Sequence, residues 1–242
     1  MILRIETVSK AFGGLRALEE VTFEVESGTV HAVIGPNGAG KTTLFSVISG
    51  EQRPGSGRIV FDGRDVTAHP AHLRARAGLV RTFQLTRPFA ALTVMDNVAV
   101  AAGALRRTRR EAVSAAAETV ERTGLGDYAS RLAGELPAAA RKRLELARAL
   151  ALRPKVLLLD EVLAGLTPAE REPMIGLLEE LRAEGMTLVF VEHVMPAVMR
   201  LADRVVVLER GRVLAEGEPA RIATDPRVVA AYLGEESGDA PA

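Results

Sequence analysis

Apolar and polar residues mostly alternate over residues 3–34 of the chain. A period of two residues is typical of half-buried strands, so this segment is predicted to form antiparallel strands. Its last part, residues 29–34, leads into a glycine-rich loop. After the loop, the pattern over residues 42–49 predicts a helix that ends at Gly50. The N-terminal region therefore combines a β-rich segment with a strand, a loop and a helix.

Two continuous apolar segments in the second half of the chain predict another kind of strand. Residues 156–159 and 187–192 carry almost no polar side chains, which is typical of strands buried on both faces of a sheet. Helices are predicted at residues 142–152 and 168–184. Strands that alternate with helices imply a parallel sheet with helices packed on its faces. A hairpin is predicted around residues 209–211, near the end of the chain.

Between about residues 91 and 135 the composition shifts to Ala, Arg and Glu with helical spacing. This segment is the candidate for a helical lobe inserted into the sheet domain. The chain has 242 residues, and α/β folds of this length often form one domain with an inserted lobe. The sequence shows no internal repeat and no linker long enough to separate two domains. We therefore predict one α/β core plus one lobe.

Composition excludes several classes of protein. Apolar residues make up 48% and aromatic residues 4%, so the core must rest on aliphatic packing. Lys plus Arg equals Asp plus Glu at 31 each, which disfavours nucleic acid as a partner. The absence of Cys excludes disulfides and thiolate zinc sites and fits a reducing cytoplasm. No segment approaches the ~18 to 20 apolar residues of a membrane-spanning helix, so we expect membrane association to go through a partner.

The glycine-rich loop matches the pattern G-x-x-x-x-G-K-[ST] and lies between a predicted strand and a predicted helix. Glycines let backbone N–H groups wrap phosphates, and the helix N-terminus adds positive potential. In this motif Lys41 reaches the terminal phosphates and Thr42 can ligate Mg²⁺. The sequence therefore predicts a nucleotide site. Its expected phosphate-binding residues are Gly35, Pro36, Asn37, Gly38, Ala39, Gly40, Lys41, Thr42 and Thr43.

Two carboxylates follow the apolar segment 156–159 directly. A buried strand delivers such residues to its carboxyl end, beside the phosphate loop. Asp160 would hold Mg²⁺ through water, and Glu161 would orient or deprotonate the attacking water. The alternative is a helix-capping pair, which is common after a strand. The presence of a phosphate loop in the same chain favours the catalytic interpretation.

With these motifs the chain resembles the ATP-binding cassette (ABC) family over essentially its whole length. The family's short motifs occur in its order, including residues 164–167 (Ala-Gly-Leu-Thr) and a histidine after a strand. The resemblance implies an α/β P-loop NTPase fold with a mainly parallel central sheet, an N-terminal antiparallel β-subdomain and an inserted α-helical subdomain. It also implies ATP hydrolysis coupled to transport, with ATP and Mg²⁺ as cofactors.

The resemblance assigns roles to three further residues. Phe12 would stack on adenine, and His193 would touch the γ-phosphate. Gln84, in the stretch 81–84, would contact Mg²⁺ or the attacking water and sense the membrane partner. Each residue alone has a structural alternative, in the core for a Phe, on the surface for a Gln and in a hydrogen bond for a His. Their joint order around the two stronger motifs favours the functional roles.

We expect a single ABC ATPase domain over residues 1–242. Its nucleotide-binding core would comprise residues 1–84 and 152–217. The helical subdomain would comprise residues 85–151, and residues 218–242 would form a C-terminal helix and tail.

Four short stretches narrow the resemblance to the cassette subunits of branched-chain amino-acid importers. They lie at residues 12–15, 80–84, 191–193 and 231–235. Such subunits generally work at the cytoplasmic face of the cell membrane, as peripheral subunits. The implied partners are a second, non-identical ATPase subunit, transmembrane permease subunits and, indirectly, a substrate-binding protein.

One segment departs from the family pattern. Where the family has Leu-Ser-Gly-Gly-Gln or a close variant, residues 136–140 read Leu-Pro-Ala-Ala-Ala. In the family dimer this segment caps the γ-phosphate bound to the opposite subunit. Pro137 lacks both the hydroxyl and the N–H, while Ala138 and Ala139 add methyl groups and are poorly suited to a positive φ. We therefore expect an asymmetric heterodimer in which this chain binds ATP but caps its partner's ATP poorly.

Alternative functions remain open at this point. A cassette that acts on ribosomes or DNA is disfavoured by the neutral charge and by the lack of a second cassette or a long coiled-coil insert. A nucleotide-dependent assembly module with little hydrolysis agrees with the altered segment 136–140, whereas Glu161 and His193 oppose it. The chain could also be the cassette of another ABC transporter, including an exporter.

A groove between the core and the lobe is the expected contact with the membrane partner. Exposed apolar side chains there would receive a helix of that partner. The alternative is that the same residues form the core of the lobe. The candidates are Leu85, Arg87, Phe89 and Leu92.

Overall fold

The computed structural model describes residues 1–82 and 88–236. Within these ranges the chain forms two sheets, surrounded by helices. The strands are β1 (Leu3–Phe12), β2 (Leu15–Val25), β3 (Val30–Ile34), β4 (Ser56–Phe61), β5 (Arg64–Asp65), β6 (Leu79–Arg81), β7 (Val156–Asp160), β8 (Thr187–Val191), β9 (Arg204–Glu209) and β10 (Arg212–Gly217). The helices are α1 (Lys41–Ser49), α2 (Ala71–Ala77), α3 (Val94–Gly103), α4 (Arg109–Arg122), α5 (Ala138–Leu150), α6 (Pro168–Ala183), α7 (Met195–Leu201), α8 (Pro219–Ile222) and α9 (Pro226–Glu236).

The larger sheet is mainly parallel. Its order among the described strands is β10-β9-β3-β8-β7-β6, and only the edge strand β10 pairs in the antiparallel sense. The continuous apolar segments predicted as buried strands are β7 and β8. Because parallel strands place their carboxyl ends at one edge of the sheet, residues that follow β3, β7 and β8 meet there. The expected mainly parallel central sheet is confirmed.

Residues 3–25 of the alternating N-terminal segment form β1 and β2 of the smaller sheet. Residues 30–34 were predicted as part of the same antiparallel set but form β3, a fully buried parallel strand of the larger sheet. The order of the smaller sheet is β2-β1-β4-β5, with every neighbouring pair antiparallel. The turn between β4 and β5 places both Asp62 and Gly63 at positive φ, 49° and 73°. Such a two-residue turn matches the twist of the strands it joins. The N-terminal antiparallel β-subdomain predicted from the sequence is therefore present.

The larger sheet is covered on both faces because its strands are apolar on both faces. Leu157 and Leu159 of β7 belong to one buried cluster, which includes side chains of α6 and α7. Val156 and Leu158 belong to another, which includes α1 and the smaller sheet. Successive side chains of a strand point to opposite faces, so one short strand stabilises both layers.

A third buried cluster holds the helical lobe together. It is built from α3, α4 and α5 and includes small side chains such as Ala102 and Ala116, which allow close approach of the helices. The helix predicted at residues 142–152 begins four residues earlier, at Ala138, and ends at Leu150. Its start differs from the prediction because Pro137 occupies the N-cap and the following alanines favour helix. None of the described helices combines the length and the apolar character needed to cross a membrane.

Candidate nucleotide-binding site

The phosphate loop links β3 to α1 and depends on glycine at three positions. Gly35, Gly38 and Gly40 have φ values of 149°, 73° and 104°. A Cβ on Gly35 would lie 2.1 Å from the carbonyl oxygen of Leu208, and a Cβ on Gly40 would lie 2.5 Å from that of Ala17. At Gly35 and Gly40, any other residue would therefore collide with main-chain atoms of neighbouring segments, so the loop conformation requires glycine at these two positions.

The lysine of the loop is already held against it. Lys41 is buried, and its Nζ donates to the carbonyl oxygens of Gly35 at 2.6 Å and Pro36 at 2.8 Å. The N-cap of α1 is Gly40, which has no side chain to satisfy the first N–H groups of the helix. These N–H groups and the ammonium concentrate positive potential at the start of α1, which suits a phosphate.

A cavity of about 480 Å³ lies beside the loop and brings most of the predicted site residues together. The sequence did not single out Arg16 and Arg210, which also line the cavity and add positive charge. Arg210 comes there because the turn after β9 returns to the loop, where the N–H of Gly211 donates to Ala39. The lining residues are Phe12, Leu15, Arg16, Ala17, Asn37, Gly38, Ala39, Gly40, Lys41, Thr42, Thr43, Glu161, His193 and Arg210.

Phe12 lies at the rim of this cavity as an exposed aromatic platform. Its side chain is 47% exposed, which distinguishes it from the core phenylalanines. The Nζ of Lys10 lies 5.1 Å from the centre of its ring. The position fits stacking on a planar base, because the face of the ring is not buried by the core.

Asp160 ends β7 and is almost completely buried. Its Oδ2 accepts a hydrogen bond from Nη2 of Arg81 at 2.7 Å, and its main-chain N–H donates to Oγ1 of Thr82 at 3.2 Å. Its Oδ1 is also buried but makes no hydrogen bond to any residue that the structure describes. A buried carboxylate oxygen without a donor fits a cation, so Asp160 and the hydroxyl of Thr42 suit Mg²⁺.

The described part of the chain contains no group of three or more His, Asp or Glu side chains able to hold a metal ion. An Mg²⁺ ion at this site would therefore depend on a few protein ligands together with phosphate oxygens and water. This is the usual coordination of Mg²⁺ in nucleotide sites.

Glu161 has a left-handed backbone conformation, with φ of 50°. Its main-chain N–H donates to the carbonyl of Val191 at 3.0 Å, and its carbonyl accepts from Nζ of Lys142 at 2.8 Å and from the N–H of Ala164 at 3.2 Å. The Oε1 of Glu161 lies 3.3 Å from Nε2 of His193. Two of the three predicted catalytic residues, Glu161 and His193, therefore line the cavity. The carboxylate of Glu161 is on a strained residue of the kind that clusters at functional sites.

Glu192 lies behind this pair and was not predicted from the sequence. Burial raises its pKa to about 7, while a hydrogen bond of 2.7 Å from the N–H of Leu163 and the charge of Lys142 act in the opposite direction. Burial also lowers the pKa of Lys142, against the charges of Glu192, Glu161 and Glu145. This cluster links α5 to the segments that carry the predicted catalytic residues.

The altered segment 136–140 forms the N-terminus of α5. Pro137 is the N-cap, with φ of −65°, and it makes no side-chain hydrogen bond to the helix. Ala138 is exposed, and neither Ala138 nor Ala139 has positive φ. The backbone strain expected at these alanines is therefore absent, because the helix starts early enough to give them ordinary helical geometry.

The predicted groove is only partly within the described residues. Gln84, Leu85 and Arg87 lie outside them, whereas the side chains of Phe89 and Leu92 are 48% and 36% exposed. These two residues are therefore at the surface and not in the core of the lobe. Leu92 lines a second cavity, of about 550 Å³, between α3 and α4. That cavity is larger than the one beside the phosphate loop but contains none of the phosphate-binding residues.

Comparison with known families matches residues 18–164 to the family described as ABC transporter. Residues 212–237 match the family described as branched-chain amino acid ATP-binding cassette transporter. The chain is 41% identical to the high-affinity branched-chain amino acid transport ATP-binding protein BraF of Pseudomonas aeruginosa, over 97% of this chain and 98% of that protein. It is 38% identical to the protein of the same description, LivG, of Escherichia coli, with the same coverage.

Solved structures show the same fold. The ADP conformation of an ATP-binding cassette of an ABC transporter aligns with a TM-score of 0.87 and 33% identity. The alignment covers 96% of this chain and 98% of that one.

Proposed function

Because the chain belongs to the ABC transporter family and is one of its ATPase cassettes, we propose that it energises the uptake of branched-chain or related amino acids. The observation that carries the proposal is the match of residues 212–237, which lie outside the residues 18–164 matched to the general family, to the branched-chain amino-acid cassettes. The relatives BraF and LivG support it, since both are described as ATP-binding proteins of branched-chain amino-acid transport.

In the proposed mechanism, the phosphate loop and Lys41 bind the phosphates of ATP, and Phe12 stacks on the base. Thr42 and Asp160 would hold Mg²⁺, which supplies charge neutralisation at the β- and γ-phosphates when bound. Glu161 orients the attacking water and accepts its proton. His193, which lies beside Glu161 in the cavity, contacts the γ-phosphate.

Gln84 belongs to the same proposal although it lies outside the described residues. Three residues before it in the chain, Arg81 contacts Asp160, one of the residues proposed to hold Mg²⁺. We propose that Gln84 contacts Mg²⁺ or the attacking water and links the site to the permease.

We propose the same division of the chain that the sequence predicts. Residues 1–84 and 152–217 would bind nucleotide, and residues 85–151 would form the lobe that faces the permease. Residues 218–242 would form a C-terminal helix and tail. We propose that the subunit is peripheral, at the cytoplasmic face of the membrane, held there by transmembrane permeases that also receive solute from a substrate-binding protein.

The second ATPase subunit is proposed to be a different chain. The exposed N-terminus of α5 offers helix N–H groups to a phosphate, but Pro137 supplies neither the hydroxyl nor the N–H that the family uses. A site capped by residues 136–140 of this chain should be impaired, whereas a partner with an intact segment would complete the site that contains Lys41 and Glu161.

Uptake of labelled leucine by cells that produce this chain tests the proposed function. Replacing Lys41→Ala should reduce uptake to background, because phosphate binding drives the transporter. The control is Lys155→Ala, which removes an exposed lysine paired with Asp62, far from the nucleotide cavity. Leucine, isoleucine and valine uptake that persists in the Lys41→Ala cells would refute amino-acid import by this chain.

A further inference from the structure

Arg81 is the last residue of β6, and its buried guanidinium contacts both Asp160 and the helix that follows the phosphate loop. Its Nη2 donates to Oδ2 of Asp160 at 2.7 Å. Its Nη1 donates to Oγ of Ser46 at 2.9 Å and to Oε2 of Glu51 at 3.1 Å. The guanidinium also lies 5.8 Å from the centre of the Phe45 ring. The side chain is 5% exposed, and that of Asp160 is 1% exposed.

We infer that Arg81 is a positioning residue that orients the carboxylate of Asp160 toward Mg²⁺, an inference that rests on the proposed function. The guanidinium holds Oδ2, so the remaining oxygen, Oδ1, is the one left for the cation. That oxygen is buried and accepts no hydrogen bond from the described residues. A planar, rigid donor set fixes the plane of a carboxylate in a way that a point charge cannot.

The contacts of Arg81 also connect the two proposed protein ligands of Mg²⁺. Ser46 lies on α1 four residues after Thr42, so both lie on the same face of that helix. One guanidinium therefore ties the helix that carries Thr42 to the strand that ends in Asp160. This arrangement sets the spacing between the two ligands before any nucleotide binds.

A purely structural role for Arg81 predicts different behaviour. If Arg81 only neutralises a buried carboxylate, another cation at the same place should preserve the Mg²⁺ site. Lysine keeps the charge but cannot bond to Asp160 and Ser46 through separate nitrogens of one rigid plane. Arg81→Lys therefore distinguishes orientation of the Asp160 carboxylate from neutralisation of its charge.

The experiment measures binding of a fluorescent ATP analogue to the full chain, first in EDTA and then as Mg²⁺ is added. Arg81→Lys should leave the affinity in EDTA unchanged, because the phosphate loop is intact. The Mg²⁺ concentration that gives half of the Mg²⁺-dependent signal should rise about tenfold, the typical loss when a partner of a metal ligand is removed. Glu51→Gln weakens the salt bridge of Arg81 with Glu51 but leaves its pair with Asp160. This variant should raise the same Mg²⁺ concentration by a smaller factor.

Arg74→Lys is the matched control. Arg74 is fully buried and also ties α1 to its surroundings, through the carbonyls of Val47 and Ile48, but it does not contact Asp160. This variant should lose thermal stability without a change in the Mg²⁺ dependence.

Two outcomes would overturn the inference alone. One is a folded Arg81→Lys chain with unaltered Mg²⁺ dependence, which would leave only a structural role. The other is tighter Mg²⁺ binding, which would show that Arg81 competes with the metal. If Arg81→Lys does not fold, Glu51→Gln decides between the same outcomes. A wild-type chain that binds no ATP analogue would instead refute the proposed function itself.

Discussion

Two buried titratable residues give the stability of this chain opposite dependences on pH. Burial, together with the charge of Arg204, lowers the pKa of His31 from 6.5 to about 4, against the charge of Asp203. The unfolded chain therefore binds the proton of His31 more readily, and stability is lost as pH falls from 6.5 toward 4. Glu192 behaves in the opposite way, since its pKa rises from 4.5 to about 7 on folding. Its contribution is present below pH 4.5 and is lost as pH rises toward 7.

Glu192→Gln should remove the part of the pH dependence of stability that comes from Glu192. An amide oxygen can still accept the hydrogen bond from Leu163, but the side chain no longer has to ionise in a buried place. The difference between pKa values of 4.5 and about 7 corresponds to roughly 3 kcal/mol. The unfolding free energy of the variant relative to wild type should therefore be larger at pH 8 than at about pH 4.5, by up to that amount. Urea unfolding at both pH values measures the gain.

The control for Glu192 is Glu172→Gln on the surface. The Glu172 side chain is 65% exposed, so its replacement should change the unfolding free energy little at either pH. A gain for Glu192→Gln that is equal at both pH values would contradict the assigned role of the buried carboxylate.

At the scale of elements, the phosphate loop combines two different requirements for glycine. Gly40 is needed by the fold, because a Cβ there would collide with the main chain of Ala17. Gly38 also has positive φ, but a Cβ there would meet no protein atom within 4 Å. Since Gly38 lines the nucleotide cavity, its requirement comes mainly from the ligand.

The pair Gly38→Ala and Gly40→Ala should separate binding from folding. Gly38→Ala should cost about 1 to 2 kcal/mol of stability, from the left-handed conformation alone, and should weaken ATP binding. Gly40→Ala should cost about 2 to 5 kcal/mol, because the collision adds to the same conformational cost. Chemical unfolding and binding of a fluorescent ATP analogue measure both effects. Equal loss of stability in the two variants would contradict this division.

At the scale of the whole molecule, the main issue is which chain caps the nucleotide bound at the phosphate loop. Phe12, Arg16 and Arg210 line the cavity beside the phosphate loop and are exposed, and the altered segment 136–140 lies on the helical lobe. In a family dimer, each site joins the phosphate loop of one subunit to this segment of the other. Two copies of this chain would therefore form two impaired sites.

The molar mass of Glu161→Gln in Mg-ATP tests this proposal by light scattering, since blocked hydrolysis should trap a closed dimer. We expect the variant to bind ATP and remain monomeric. The same variant should dimerise when the family segment is restored by Pro137→Ser, Ala138→Gly, Ala139→Gly and Ala140→Gln.

Adding Lys41→Ala to the restored chain should abolish the dimer, which confirms that nucleotide holds it together. Dimerisation of Glu161→Gln with its own segment 136–140 would show that this segment still engages ATP. The proposal of a non-identical partner would then lose its main support.

The sequence by itself determined the fold class and the centre of the site. The spacing of glycines before Lys41, and the apolar segment before Asp160, are local patterns that need a particular backbone, so they could be interpreted without coordinates. The buried strands followed from continuous apolar segments, and the inserted lobe followed from a shift in composition with helical spacing. The exact start of α5 did not, because a Pro-Ala-Ala-Ala stretch carries no hydrophobic period to mark a boundary.

Only the tertiary structure decided which distant residues share the site. Arg210 and Lys142 are separated from the phosphate loop by long stretches of chain, and nothing in their own surroundings distinguishes them from surface charges. The contact between Arg81 and Asp160 joins residues 79 positions apart. Such contacts depend on the order of strands in the sheet, which a single sequence does not encode locally. The motifs therefore predicted the chemistry of the site, whereas the residues that contact the motif residues from distant parts of the chain could be identified only from the fold.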